Sequence, residues 1–156
     1  MADHVSVSRE IAAPPDRVWA MVSDVTRMGE WSPETTSCVW KGGATGPAVG
    51  ARFVGRNRSG WRRWSTGCRV VACEEGRTFA FDVDAGPLGV ARWRYDIEPT
   101  EQGCRVTETW TDRRGALVRG TSPLLTGVGD RPGHNRAGME ATLERLAAAA
   151  ESVDAG

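Results

Sequence analysis

The sequence predicts an α+β fold: a seven-stranded antiparallel sheet wrapped around a long C-terminal helix, with two short helices after the first strand. Three observations carry this. Residues 130–150 hold the chain's long helical period, with Met139, Leu143, Leu146, Ala147, Ala150 and Val153 recurring at steps of three, four and seven. Glu140, Glu144, Arg145 and Glu151 fall elsewhere on the wheel, so one face is apolar. Upstream, short runs of alternating residues are separated by hairpin-sized turn signals. Between the first run and the rest lies a proline-punctuated stretch with helical spacing.

Each element follows from local chemistry. In residues 4–12, Val5, Val7 and Ile11 alternate with His4, Ser6, Ser8 and Glu10, the pattern of a half-buried strand. Pro14 and Pro15 end it, and Val18, Trp19, Val22 and Val25 then recur at helical steps, with a second turn through Met28 to Trp31 before Pro33. A strand over 36–41 leads into the glycine-rich loop GGATGPAVG, which no helix follows, so it is read as a flexible connection and not a nucleotide cradle. Strand runs follow over 51–58, 62–73, 77–84, 90–98 and 103–112, separated by Ser59-Gly60, Glu75-Gly76, Gly86-Pro87-Leu88-Gly89 and Glu101-Gln102-Gly103. Residues 113–130 read as a long connection, either a lid or a linker anchored by Leu117, Val118, Leu124 and Leu125. Asp130 is the predicted N-cap of the last helix, with Pro132 in its first turn. About twenty residues at 1.5 Å each span roughly 30 Å, the diameter of a domain of this size.

With 156 residues the chain is read as a single domain over 1–156. Its 20 basic and 20 acidic residues balance, and the arginines are scattered with partial clusters at 52–63 and 113–119, which argues against a nucleic-acid partner. No apolar run approaches the length of a membrane span and the N-terminus lacks a signal-peptide pattern, so no integral membrane segment and a cytoplasmic location are expected. Cys38, Cys68, Cys73 and Cys104 form no Cys-x-x-Cys pair and no zinc spacing, so reduced thiols and no metal or cofactor are expected. Seven tryptophans against three phenylalanines and one tyrosine supply rigid aromatic area for a core or a cavity wall.

Strand parity separates the two faces. One carries Phe53, Gly55, Asn57, Trp64, Thr66, Cys68, Val70, Phe79, Phe81, Val83, Ala91, Trp93, Tyr95, Ile97, Cys104, Val106, Glu108 and Trp110, and it must meet the apolar stripe of the last helix. The other carries Arg63, Arg69, Asp82, Arg92, Arg94, Asp96, Arg105 and Thr107 and is assigned to water. Among the inward polar groups, Glu108 stands out. Desolvation among aromatic neighbours would raise its pKa toward the range of a general acid or base, unless an arginine such as Arg9 pairs with it. Asn57 and Thr66 either bond a ligand or bond each other. Asn135 extends the helix's apolar stripe and His134 borders it, as a proton carrier or a surface group. No nucleophile elbow, phosphate loop or paired-histidine motif is present.

The order of elements resembles the helix-grip fold of the START-like, or SRPBCC, superfamily, which includes Bet v 1 allergens and polyketide cyclase/dehydrase-like proteins. VSVSREIAAPPDRVWAMVSDVTRMGEWSPE is similar to that family's opening strand, proline break and Val-Trp helix. GARFVGRNRSGWRRWSTGCRVV, RWRYDIEP, GCRVTETWTDRR and HNRAGMEATLERL look like the actinobacterial branch of the polyketide cyclase/dehydrase-like group. The resemblance covers nearly the whole chain and implies a cavity between curved sheet and last helix, holding a small hydrophobic ligand. On that reading Phe53, Asn57, Trp64, Thr66, Phe81, Trp93, Tyr95, Glu108, Trp110, Asn135, Met139 and Leu143 contact the ligand. Glu108 and His134 are the candidate proton carriers should the cavity catalyse a cyclisation or dehydration. Because members of one fold bind or transform very different molecules, a carrier and an enzyme both follow from the resemblance.

Overall fold

The computed structural model describes residues 4–152, leaving aside the side chains of Leu117, Ser122 and Leu125. Seven strands form one sheet: β1 (His4–Ile11), β2 (Thr35–Lys41), β3 (Arg52–Ser59), β4 (Arg62–Glu74), β5 (Thr78–Ala85), β6 (Leu88–Thr100) and β7 (Gly103–Asp112). Their order is β1-β7-β6-β5-β4-β3-β2, and every neighbouring pair is antiparallel. The six strands from β2 to β7 thus form a meander with β2 at one edge, while β1 closes the other edge beside β7. Among the described residues there are also three helices, α1 (Pro15–Ser23), α2 (Ala116–Thr126) and α3 (Arg131–Ser152), with a 3₁₀ stretch Val25–Glu30 before β2.

The register realises the parity scheme. Phe53 lies opposite Cys68, Val70 opposite Phe81, Phe81 opposite Trp93, Trp93 opposite Trp110 and Tyr95 opposite Glu108. Register shifts at Thr35/Ser37, Val70/Ala72 and Val83/Asp84 interrupt the ladder, and such bulges bend and twist the strands they interrupt. Helix α3 starts where its capping chemistry dictates: the Gly133 amide donates to Asp130 Oδ1 at 3.2 Å and the His134 amide to the Asp130 carbonyl at 3.0 Å. Its buried face is Asn135, Met139, Thr142, Leu143, Leu146, Ala147 and Ala150, and Val153 lies outside the described residues. Thr142 joins an apolar face because its hydroxyl donates to the Gly138 carbonyl at 2.8 Å. Fully burying each of Met139, Leu143 and Leu146 stabilises by about 1.5–3 kcal/mol.

Helix α1 carries Val18, Met21 and Val22 into the same core, and its Trp19 indole donates to the Thr78 carbonyl at 2.9 Å. At its far end α3 is tied back by the Arg17 guanidinium, which donates to the Ala150 carbonyl at 3.3 Å, and by Glu151, which accepts from the Ala12 amide at 2.9 Å.

Two expectations are corrected. Residues 116–126 are helical, not loop. Gly120 and Pro123 hide the helical period, yet Pro123 lies in the last turn and Gly127, at φ 75°, closes the helix by donating its amide to the Pro123 carbonyl at 2.9 Å. Leu124 does not anchor this segment, being 77% exposed, whereas Val118 is half-buried; the Leu117 and Leu125 side chains lie outside the described residues. Asp82 is on the outer face as assigned, but it is only 3% exposed. Arg92, directly opposite, grips it at 2.6 and 3.1 Å and Arg113 adds a contact at 3.2 Å. Burial pushes its carboxyl up, but Arg92, Arg113 and Arg69 outweigh that and hold it below the usual range.

Gly29 shows how tightly the 3₁₀ stretch presses on β2: a methyl there would meet the Thr36 carbonyl within contact distance. Gly29→Ala should therefore destabilise the fold by about 2 kcal/mol. Denaturant unfolding measures this, and a midpoint equal to wild type would show that the 3₁₀ stretch yields.

Candidate functional site: an aromatic cavity with a buried carboxyl

The concave face of the sheet and α3 enclose a cavity of about 150 Å³. That is below the roughly 300–1,000 Å³ of drug-sized ligand pockets, so the space suits a small guest. Its walls come from one end of the sheet. Phe53 and Asn57 on β3, Trp64, Thr66 and Cys68 on β4, Phe81 and Val83 on β5, Trp93 and Tyr95 on β6, and Glu108 and Trp110 on β7 all line it. Helix α3 contributes Arg131, His134, Asn135, Gly138, Met139 and Thr142.

Beyond Thr142 the same helix belongs to the solid core. Leu143, Leu146, Ala147 and Ala150 are buried and do not line the cavity, and neither do Phe79, Ile97, Cys104 or Val106 on the sheet. Leu143, expected among the ligand contacts, lies one turn past Met139 in the buried core and does not line the cavity. Every other residue singled out from the sequence lines the cavity.

Glu108 is 2% exposed. The Tyr95 hydroxyl donates to its Oε2 at 2.8 Å, while Oε1 has no hydrogen-bond partner among the described residues. Arg9 does not pair with it: that side chain is exposed, and Val7 is the residue opposite Glu108. Burial pushes the Glu108 carboxyl up to about 8, against the opposing pull of the Tyr95 hydrogen bond. Burial and the adjacent Glu108 likewise push the Tyr95 phenol well above its ordinary value. At neutral pH the carboxyl thus keeps its proton. With Oε2 accepting from Tyr95, Oε1 is the unpartnered oxygen of a protonated carboxyl on a residue that lines the cavity.

Asn57 and Thr66 bond each other, Asn57 Nδ2 donating to Thr66 Oγ1 at 3.3 Å, and the Thr35 hydroxyl donates to Asn57 Oδ1 at 3.1 Å. Cys38 and Cys68 also line the cavity, and burial pushes their thiols up to about 11 and about 12, so neither is a nucleophile near neutrality. All four cysteines are free. Among the described residues no cluster of three His, Cys, Asp or Glu is placed to hold a metal ion.

The mouth lies where the lining is exposed, at Pro33 and at His134, whose side chain is 41% exposed. Glu34 spans it. Both Glu34 oxygens accept from Arg131 Nη1 at 2.9 Å, and Oε2 lies 2.9 Å from His134 Nε2. Arg131 Nη1 also donates to Asn135 Oδ1 at 3.3 Å. His134 is thus a rim residue tied to Glu34. Sequence reasoning missed Glu34, Arg131 and Arg114, which lie in loops or at element ends where neither strand parity nor helical period assigns a direction.

The raised Glu108 carboxyl makes a pH prediction. Between the unfolded value near 4.5 and the folded value near 8 the native state holds a proton that the unfolded state has lost. Stability from this group is therefore complete below pH 4.5 and falls as pH rises toward 8, by up to about 1.4 kcal/mol per pH unit. Glu108→Gln, which keeps an acceptor for Tyr95, should flatten that decline and overtake wild type by several kcal/mol at pH 9. Denaturant midpoints measured from pH 4 to 9 would refute this if the two proteins track in parallel.

The sequence matches the family described as polyketide cyclase / dehydrase and lipid transport over residues 2–151. It is 34% identical to the polyketide-cyclase-like protein Cgl2372 from Corynebacterium glutamicum, with 94% of this chain and 90% of that one covered and a TM-score of 0.64. Two more distant structures share the fold. The di-domain ARO/CYC protein StfQ of the steffimycin biosynthetic pathway superposes with a TM-score of 0.77 at 16% identity, covering 100% of this chain and 53% of that one. Major latex-like protein 151 from Panax ginseng gives 0.73 at 12% identity over 96% and 97% of the two chains. A comparison with curated proteins finds no match. With the helix-grip architecture, the enclosed cavity and a match across almost its full length, this chain belongs to the polyketide cyclase / dehydrase and lipid transport family.

Proposed function

We propose that the protein sequesters or carries a small hydrophobic or aromatic molecule in the cavity between its sheet and α3. The observation that carries this reading is Glu108: a buried carboxyl with one oxygen that has no hydrogen-bond partner among the described residues, on a residue lining a cavity of rings, aliphatic groups and a few polar side chains such as Asn57, Thr66 and Asn135. Leaving such a group unsatisfied costs about 1–3 kcal/mol, which a guest relieves by accepting a hydrogen bond from it. The guest this wall suits is neutral and flat, carries a carbonyl or similar acceptor, and stacks against Trp93, Trp110 and Phe81. A carboxylate would be repelled once Glu108 ionised. The four free thiols support a reducing, cytoplasmic setting.

A second reading, an enzyme of the polyketide cyclase / dehydrase type, has one observation in its favour. A carboxyl poised near 8 can give and retake a proton close to neutral pH, while the cavity holds reacting carbons near one another.

Native mass spectrometry of freshly purified protein should show a bound small molecule. A spectrum containing apo protein alone, under conditions that preserve other complexes, would count against the carrier. Once a guest is identified, Trp93→Ala should weaken it about tenfold through lost stacking and packing. Glu108→Gln should leave affinity within about fivefold for a carrier, since the amide still donates to an acceptor. The same variant should abolish turnover for an enzyme, so the ratio of the two effects separates the readings.

A further inference from the structure

We infer that the end of the molecule carrying the cavity mouth docks on an anionic lipid bilayer, through Trp61, Leu124 and the arginines of the β3–β4 hairpin. This goes beyond the cavity reading and does not depend on what the cavity holds.

Trp61 occupies the hairpin tip and is 80% exposed, and Leu124 on α2 is 77% exposed. Scattered exposed apolar residues are ordinary, but these two are held together. The Arg62 guanidinium stacks over the Trp61 ring at 4.4 Å, and Arg62 Nε donates to the Leu124 carbonyl at 3.2 Å. One side chain therefore links the hairpin tip to the backbone of α2 at this point. That point adjoins the mouth: the Arg58 amide donates to the carbonyl of Glu34, and Asn57 and Trp64, on either side of the tip, line the cavity.

The charge around this point is one-sided. Residues 51–73 carry six arginines and no acidic residue, in a chain whose 20 basic and 20 acidic groups cancel overall. Register sets Arg58 opposite Arg63, Arg52 opposite Arg69 and Lys41 opposite Arg52. Like charges directly opposed across a sheet are destabilising, so folding alone gives no reason for them. Among the described residues none of Lys41, Arg52, Arg56, Arg58 or Arg63 enters a salt bridge. The surplus calls for an anion from outside. Guanidinium groups match phosphate oxygens in pairs, and an exposed indole beside an exposed leucine suits the boundary between headgroups and acyl chains. A purely polar anionic partner would leave Trp61 and Leu124 without a role. Docked in this way, the hairpin and α2 would set the mouth against the bilayer.

Vesicle co-sedimentation tests the inference on the full chain. Wild type should bind vesicles of phosphatidylcholine with about 30 mol% phosphatidylglycerol at least about tenfold more tightly than phosphatidylcholine alone, and salt should weaken the binding. Trp61→Ser with Leu124→Ser should reduce binding about tenfold, and Arg58→Gln with Arg63→Gln should reduce it similarly and flatten the salt dependence. Because these side chains are exposed and the Arg58–Arg63 pair is repulsive, unfolding midpoints should not fall below the wild-type value, which separates lost docking from lost structure. Equal binding to neutral vesicles, an apolar double variant that binds like wild type, or tighter retention by duplex DNA than by anionic vesicles would each overturn the proposal.

Discussion

The structure turns on the way α3 meets the sheet. Over its C-terminal half the helix lays Leu143, Leu146, Ala147 and Ala150 directly into the core. Over its N-terminal half Asn135, Met139 and Thr142 face a cavity instead. One helix thus serves as keel at one end and as cavity wall at the other. The solid half anchors the fold through ordinary apolar burial, which leaves the open half free to be shaped by what it holds. Tyr95 and Glu108 lie on the wall of the open half, while Ile97 and Val106, their neighbours along β6 and β7, belong to the solid half.

Polar groups around the cavity fall into two kinds. Asn57, Thr66 and Thr35 satisfy one another, and Glu34 is taken up by Arg131 and His134 at the mouth. These contacts stabilise the rim and bind the segment before β2 to the first turn of α3. Glu108 is different, because only one of its two oxygens is used. Its burial works against the charged form, so the fold holds a neutral acid where an ionised one would be costly. A carboxyl kept protonated at this depth is a hydrogen-bond donor by environment, and that separates the site from a merely greasy hole.

The outer face follows a different logic. Where β5 and β6 meet, opposite charges pair across strands, as Asp82 does with Arg92. Asp112 is likewise gripped by Arg114 and Arg119. Apart from Arg69, which lies opposite Asp82, the cations Lys41, Arg52, Arg56, Arg58 and Arg63 on β2–β4 enter no salt bridge among the described residues, and Arg58 and Arg63 flank the hairpin tip. Inner and outer faces of the same hairpin therefore serve two surfaces, one turned to the cavity and one to the surroundings.

Much of this was legible in the residues. Alternation alone assigned Phe53, Trp64, Phe81, Trp93, Tyr95, Glu108 and Trp110 to the concave side, because a strand's period of two leaves no freedom once one face is apolar. The start of α3 followed from Asp130 and Pro132, and the desolvation of Glu108 followed from its neighbours in the pattern. Helix α2 escaped notice because Gly120 and Pro123 are poor helix formers, and capping by Gly127 outweighs them only in context. The burial of Asp82 and the pairing of Glu108 with Tyr95 in place of Arg9 depend on the register between neighbouring strands, and the Glu34–Arg131 contact across the mouth joins residues 97 apart in the chain. Local pattern says which way a side chain points and how it repeats. Which partner it meets, and where helix and sheet part to leave a cavity, depends on the register and curvature of all seven strands together, and only the tertiary structure decides those.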